Sequence, residues 1–232
     1  MTTKTSSNLL HNNTVELVGT YGGDQTHALS AWTSTIRDLS EKRSMRLPMF
    51  LRDLAHNGHH SPFEKSTLHF LATTDIASHI HLLKHRIGVS VNSESARYME
   101  QNEDKFYLPT DWLSYGAEEE LSELQSHILT SFELYHGLVR KLEKKGVSRS
   151  RAKESARFAL PYAFQYKVDI TFNFRSFMHF MGLRNHPHAQ LEIREVAREM
   201  LRLVVARGGF YHSIKAFQGM TLPAPVWEIP SE

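Results

Sequence analysis

From His81 to Tyr98 the chain reads His-Leu-Leu-Lys-His-Arg-Ile-Gly-Val-Ser-Val-Asn-Ser-Glu-Ser-Ala-Arg-Tyr. Three cation-capable side chains, Lys84, His85 and Arg86, follow an apolar run (Ile76, Ile80, Leu82, Leu83) and precede a stretch rich in Ser and Asn. Like charges at a helix end repel one another, whereas hydroxyl, amide and backbone N–H groups match phosphate oxygens. The segment is suited to hold an anion. A solvated helix end whose cations complement the macrodipole fits the same residues.

His81 and His85 stand four apart, the spacing of two ligands on one helix face. No glutamate occupies the His-Glu-x-x-His place and no third ligand is evident, so pocket or surface histidines fit as well and no metal is assigned. His186-Pro187-His188 is too short to name one. Arg97, Arg157, Arg175 and Arg184 each have apolar sequence neighbours, and an unpaired buried charge is costly. An internal carboxylate satisfies one such arginine. Four of them, with the Ser/Asn stretch, favour a ligand carrying several anionic groups.

The elements that must position these residues are read from periodicity. Val15 to Val18 is a short strand, Gly19, Gly22 and Gly23 a turn, and Thr26 to Leu39 a helix. Met49 to Asn57 forms a second helix ending at Asn57-Gly58, and His59-His60-Ser61-Pro62-Phe63-Glu64 a polar turn. Ser66 to Thr73 alternates as a strand, and Asp75 caps the helix leading to Lys84. Beyond the basic loop, Phe106 to Pro109 is extended. Glu118-Glu119-Glu120 opens a long helix with the apolar stripe Leu121, Leu124, Ile128, Phe132, Tyr135, Val139 and Leu142, stopped by Gly146. A helix from Arg151 to Ala159, a strand through Phe164 to Phe172, and helices over Asn173 to Leu183, Ala189 to Ala206 and Phe210 to Phe217 complete the chain. An extended tail runs from Pro223 to Pro230.

At 232 residues the chain fits a single domain, 14–222, between a frayed tail at 1–13 and the extended residues 223–232. No apolar run approaches the roughly 20 residues of a membrane helix, and the polar first thirteen residues lack the apolar core of a signal peptide. A cytoplasmic location without membrane contact is the default expectation. Zero cysteines remove disulfides, thiolate nucleophiles and Cys-ligated metals together. A net charge of +2 with fifteen histidines argues for local basic pockets and against a nucleic-acid footprint.

Three blocks carry a family resemblance. Lys84-His85-Arg86 with Ser90 through Tyr98 resembles the Arg-His-Arg-x7-Ser signature of flavin-dependent thymidylate synthases. His59-His60-Ser61-Pro62-Phe63-Glu64 is similar to that family's His-x-[Ser/Thr]-Pro-Phe-Glu turn. Asn173-Phe174-Arg175, Leu183-Arg184, His188-Ala189-Gln190 and Glu192-Ile193 resemble its Asn-x-Arg, Leu-Arg and His-Ala-x-x-Glu-Ile segment. The stretch Asp24 to Ser34 fits loosely.

The resemblance implies a mixed α/β (α+β) subunit, a central sheet flanked by long helices, assembled as a homotetramer with shared active sites. It implies a site for flavin adenine dinucleotide (FAD) at His59, Ser61, Glu64, Arg86, Ile87, Asn92, Asn173, Arg175, His179, Leu183 and His188. The pyrimidine nucleotide would meet His81, Lys84, Glu94, Ser95, Ala96, Arg97, Arg157 and Arg184, with Arg184 and His59 catalytic. The implied reaction is C5 methylation of dUMP to dTMP, with methylenetetrahydrofolate as carbon donor and NADPH as reductant. UMP as substrate, a 5-hydroxymethyl product, or a non-catalytic nucleotide- or RNA-binding protein are the alternatives. The missing cysteine agrees independently, since folate-only thymidylate synthases need a thiolate. Four departures gather near the nucleotide: Lys84 for arginine, one extra residue between Arg86 and Ser95, His81 for glutamine, and Trp32 for arginine.

Overall fold

The structure is a computed structural model that describes residues 12–35, 37–95 and 105–218. Its strands are β1 (Thr14–Tyr21), β2 (Thr67–Asp75), β3 (Val89–Ser93) and β4 (Gln165–Asn173), in one sheet of order β1-β2-β4-β3. Its helices are α1 (Asp24–Trp32), α2 (Glu41–His56), α3 (Ile76–Leu83), α4 (Glu118–Lys144), α5 (Arg149–Ala156), α6 (Phe174–Arg184), α7 (Leu191–Arg207) and α8 (Tyr211–Phe217). The mixed α/β class expected from the sequence is what the chain forms. No helix among the described residues is long and apolar enough to cross a membrane.

The chain divides into two compact units, one of residues 1–13, 73–79 and 93–167, the other of 14–72, 80–92 and 168–232. In the second, alternation buries Leu68, Phe70 and Ala72 of β2 and Val168, Ile170 and Phe172 of β4. Against them pack Phe177 and Phe180 of α6, with the Phe70 and Phe177 rings 5.7 Å apart. Met200 and Val204 of α7 join the same core. In the first unit the α4 stripe is consumed internally. Ile128 and Phe132 pack with Phe106 and Phe164, while Tyr135 and Val139 pack with Ala152 and Ala156. Leu129 and Leu134 of the same helix remain exposed.

Several boundaries differ from the sequence reading. Helix α1 stops at Trp32 because Thr33, Ser34 and Thr35 turn their hydroxyls back onto the carbonyls of Leu29, Ala31 and Trp32, an alternative to helical bonding. Helix α2 begins at Glu41 and runs through Pro48. The bond lost at the proline is outweighed by Leu47, Leu51 and Ala55, which line one buried face beside α8. Val89 to Ser93, read as polar loop, is an edge strand. Asn13, placed at the end of a frayed tail, exchanges hydrogen bonds with Asp75 at 2.7 and 2.8 Å. Asp75 caps α3 as expected, accepting from the Ser78 N–H at 2.8 Å. The tail at 223–232 lies outside the described residues.

Candidate functional site

In the second unit, the turn after α3 is locked to the start of α6. Gly88 takes φ +65°, and a Cβ there would run into the Asn173 amide and the Ser176 hydroxyl. The Asn173 N–H donates to the Gly88 carbonyl at 2.8 Å. The Asn173 side chain caps α6 by accepting from Ser176 N–H at 2.8 Å, and the Ser176 hydroxyl donates to the Ile87 carbonyl at 2.6 Å. These bonds bring Ile87 and Asn173 together and leave Ile87 90% exposed. An apolar side chain held out beside an amide edge fits a flat amphipathic ligand.

Nearby in the same unit, Arg175 pairs with Glu64 at 2.6 Å. The apolar burial expected for Arg175 is not found: its side chain is 51% exposed, because it lies on the solvent side of α6. Such a half-exposed pair contributes little to stability, about 0–1 kcal/mol. Its opening to admit an anionic group is correspondingly cheap. His59 and Ser61 line a separate cavity of about 450 Å³ with Trp32, Phe50 and Leu54, where the Trp32 and Phe50 rings stack at 4.9 Å.

Arg184 ends α6 and donates its Nε–H to Nε2 of His85 at 3.1 Å. His85 lies beyond the end of α3 at Leu83, in a turn where its N–H donates to the Leu82 carbonyl at 3.1 Å, so the two histidines, His81 and His85, are not both held within that helix. Burial, and then the Arg184 guanidinium and the neighbouring His179 and His81, push the His85 imidazole down to about 4. Burial likewise holds the Arg184 guanidinium below its ordinary value. His179, Lys84, Arg86 and Asn92 are exposed in this unit, as is His188, whose ring stacks on His186 at 5.0 Å.

The first unit holds a cavity of about 350 Å³ whose polar lining is His79, Glu94, Ser95, Arg157 and Tyr166. Glu94 is fixed in place, its N–H donating to the Lys167 carbonyl and its Oε2 accepting from the Lys167 N–H, both at 2.9 Å. Arg157 is exposed rather than sunk among apolar neighbours, since it sits in the 3₁₀ turn following α5. His79 lies 3.3 Å from the Ser93 hydroxyl and 6.0 Å from the Tyr166 ring. Burial lowers its pKa, with Asp75 pulling the other way. Burial raises the Tyr166 phenol, against the pull of Arg157. A reachable cation, an anchored carboxylate and the two hydroxyls of Ser95 and Tyr166 match a phosphorylated ligand with polar ring or sugar edges.

The structure thus groups Glu94, Ser95 and Arg157 in one unit, and Glu64 with Arg175, Ile87 with Asn173, and His85 with Arg184 and His179 in the other. Leu183, 49% exposed, neighbours Arg184 in sequence. His81 is half-buried. Ala96 and Arg97 lie outside the described residues. His79 and Tyr166 went unread as cavity residues: His79 sits within an apolar helix and Tyr166 within a strand alternation that looked wholly core. Among the described residues no group of three His, Asp or Glu is placed to hold a metal.

A family model described as thymidylate synthase complementing protein matches residues 16–207. The chain belongs to this family. Every candidate residue named above falls inside the matched span. Relatives include the flavin-dependent thymidylate synthase of Pyrococcus furiosus, 34% identical over 165 residues, which are 68% of this chain and 62% of that protein. The enzyme of the same name from Mycobacterium tuberculosis strain H37Rv is 32% identical over 170 residues, 68% of this chain and 65% of that protein. The chain thus spans less than two thirds of the length of these relatives. Among solved structures, the UMP/dUMP methylase PolB from Streptomyces cacaoi bound with 5-Br dUMP is similar at TM-score 0.76 and 28% identity, over 92% of this chain and 98% of that one. The same methylase bound with 5-Br UMP gives a TM-score of 0.74 at 27% identity.

Proposed function

We propose that this member of the thymidylate synthase complementing family methylates C5 of a uridylate, dUMP to dTMP. The observation that carries the reading is Arg184, a partly desolvated guanidinium with no carboxylate pairing it among the described residues. In a chain without cysteine, the pyrimidine must be activated without a thiolate. An un-neutralised cation does this by stabilising the negative charge that develops on the ring oxygens. Arg157, with Glu94 and Ser95, would hold the nucleotide, joined by His81, Lys84, Ala96 and Arg97.

The residues that would hold FAD are His59, Ser61, Glu64, Arg86, Ile87, Asn92, Asn173, Arg175, His179, Leu183 and His188. The exposed Ile87 beside Asn173 and the readily opened Arg175–Glu64 pair fit an amphipathic, anionic cofactor. When bound and reduced, that flavin supplies hydride. Methylenetetrahydrofolate as carbon donor and NADPH as reductant belong to the same proposal, as do a cytoplasmic location and a single catalytic domain at 14–222. Tritium release from C5-labelled dUMP, with folate and reductant present, tests the reaction, and no release from dUMP or UMP refutes it. A purified protein without a yellow flavin spectrum would favour a bare nucleotide- or RNA-binding module instead.

UMP is the second reading. It is favoured by the structural likeness to a UMP/dUMP methylase, TM-score 0.76 over 98% of that chain. Product mass spectrometry separates dTMP, the methylated ribonucleotide and a 5-hydroxymethyl product. The assembly is proposed as a homotetramer with shared sites, for which the exposed Leu129 and Leu134 on α4 leave apolar surface. A monomer in light scattering at micromolar concentration refutes it.

Loss of flavin is the expected result of Arg175→Ala and, to a smaller degree, His59→Ala. The first removes a cation from the exposed pair, and the second removes a polar edge from an open cavity. Absorbance of the purified variants measures it; full occupancy in both would place the flavin elsewhere.

A further inference from the structure

His85, the central residue of Lys84-His85-Arg86, has so far no role of its own. Its contact with Arg184 is unusual in kind. A partly dry guanidinium is ordinarily held by a carboxylate, which offsets much of its charge. Here the acceptor is an imidazole nitrogen, Nε2 of His85, at 3.1 Å from Arg184 Nε. An uncharged acceptor sets the direction of the guanidinium and leaves its positive charge whole. It also takes only the single Nε–H, so the four N–H groups on the terminal nitrogens stay available as a planar fork.

The imidazole is itself held. It stands edge-on to Phe180, centroids 4.9 Å apart at 82°, and 6.1 Å from the His179 ring at 66°. The charged or titratable groups acting on it are Arg184 and His179 of α6 and His81 of α3. All are cationic or neutral, so nothing in that set favours a proton on His85. Because Nε2 accepts, the ring proton sits on Nδ1.

We infer that His85 is a positioning residue, its uncharged imidazole aiming the terminal nitrogens of Arg184 at the pyrimidine ring without neutralising them. The inference rests on the proposed C5 methylation.

The flavin-loaded enzyme and its variants are assayed for tritium release from C5-labelled dUMP and UMP. His85→Phe keeps a ring but offers no acceptor. It is expected to lower kcat about ten- to a hundred-fold, the effect of losing a hydrogen bond to a charged group, with flavin absorbance and Tm near wild type. His85→Gln places Oε1 near the position of Nε2 and is expected to stay within about threefold of wild type. On an Arg184→Lys background, which has no Nε–H to be held, adding His85→Phe is expected to change kcat by less than about twofold. Should His85→Phe fail to fold or lose flavin, His85→Leu takes its place with the same expectations. A glutamine variant as slow as the phenylalanine one, or a full further loss on the Arg184→Lys background, overturns the inference while wild-type turnover upholds the methylation reading. A wild-type enzyme inactive with both nucleotides overturns both.

Discussion

Arg184→Ala is expected to slow turnover of dUMP by about 10²–10³-fold while the protein stays yellow. The magnitude is that of removing one preorganised donor from a developing oxyanion, and Arg184 is suited to that part. It is partly out of water, its pKa is held down by burial, and no carboxylate pairs with it among the described residues. Nucleotide affinity is expected to fall about ten- to a hundred-fold as well, because a charge-assisted contact is lost with it. Lys84→Ala is the contrasting variant. Lys84 is exposed just past the end of α3, and a point charge on a flexible stem grips a phosphate less firmly than a guanidinium fork. Its loss should cost severalfold less affinity than that of Arg184. Calorimetric titration of dUMP and UMP into both variants, with stopped assays for turnover, measures the difference. Equal losses would mean that Lys84 grips the nucleotide as firmly as Arg184 does and that the basic loop is not arranged as read from the sequence.

The second large effect concerns stability. His27 is fully buried, with Nδ1 2.8 Å from the Ser213 hydroxyl and Nε2 2.7 Å from that of Ser66. Ser213 donates its proton to Asp24 Oδ1 at 2.5 Å. Its oxygen therefore accepts from His27 Nδ1–H, and Ser66 donates to Nε2. Asp24 also accepts from the Ser213 and His212 N–H groups, so one network joins α1, the start of β2 and α8. The ring further packs between Phe63 and Phe174, each centroid 5.1 Å away. His27→Ala leaves a cavity and two buried hydroxyls short of a partner, and is expected to cost about 4 kcal/mol.

The same burial predicts a pH dependence. Burial pushes the His27 imidazole down to about 3, whereas in the unfolded chain it titrates near 6.5. Between those values the unfolded state binds more protons, so stability falls as pH drops through the window. At pH 5 the loss relative to pH 7.5 is about 2 kcal/mol. Asp24 acts in the opposite sense: burial raises its carboxyl, so its contribution declines as pH rises above 3.8. Comparison with His27→Gln, which lacks the titration but retains Asp24, isolates the histidine. Urea unfolding at both pH values is expected to show wild type losing about 2 kcal/mol more than His27→Gln. Parallel pH dependences would show that His27 is not held neutral.

Local periodicity was enough to find the main scaffold. The alternations Leu68-Phe70-Ala72 and Val168-Ile170-Phe172, the α4 stripe and the Asp75 cap all depend on residues a few positions apart, and each forms as read. The three sequence blocks also sufficed to point to the family. Strand β3 was hidden because its five residues, Val-Ser-Val-Asn-Ser, are too few and too polar to declare a strand. Its place is secured by distant bonds, Asn173 N–H to the Gly88 carbonyl before it and Glu94 N–H to the Lys167 carbonyl after it. The expected burial of Arg157 and Arg175 failed for a related reason. Apolar neighbours along a chain point to other sides of a helix or turn, so sequence adjacency does not measure exposure.

Partnership was decided by tertiary structure alone. Glu64 meets Arg175 across 111 residues, His85 meets Arg184 across 99, and His27 meets Ser213 across 186. Residue types could mark each of these groups as needing a partner, because a desolvated charge or polar group is costly without one. Which group answers depends on the packing of α6 and α8 against the rest of their unit. That packing determines whether an arginine meets a carboxylate that offsets its charge or an imidazole that leaves it intact.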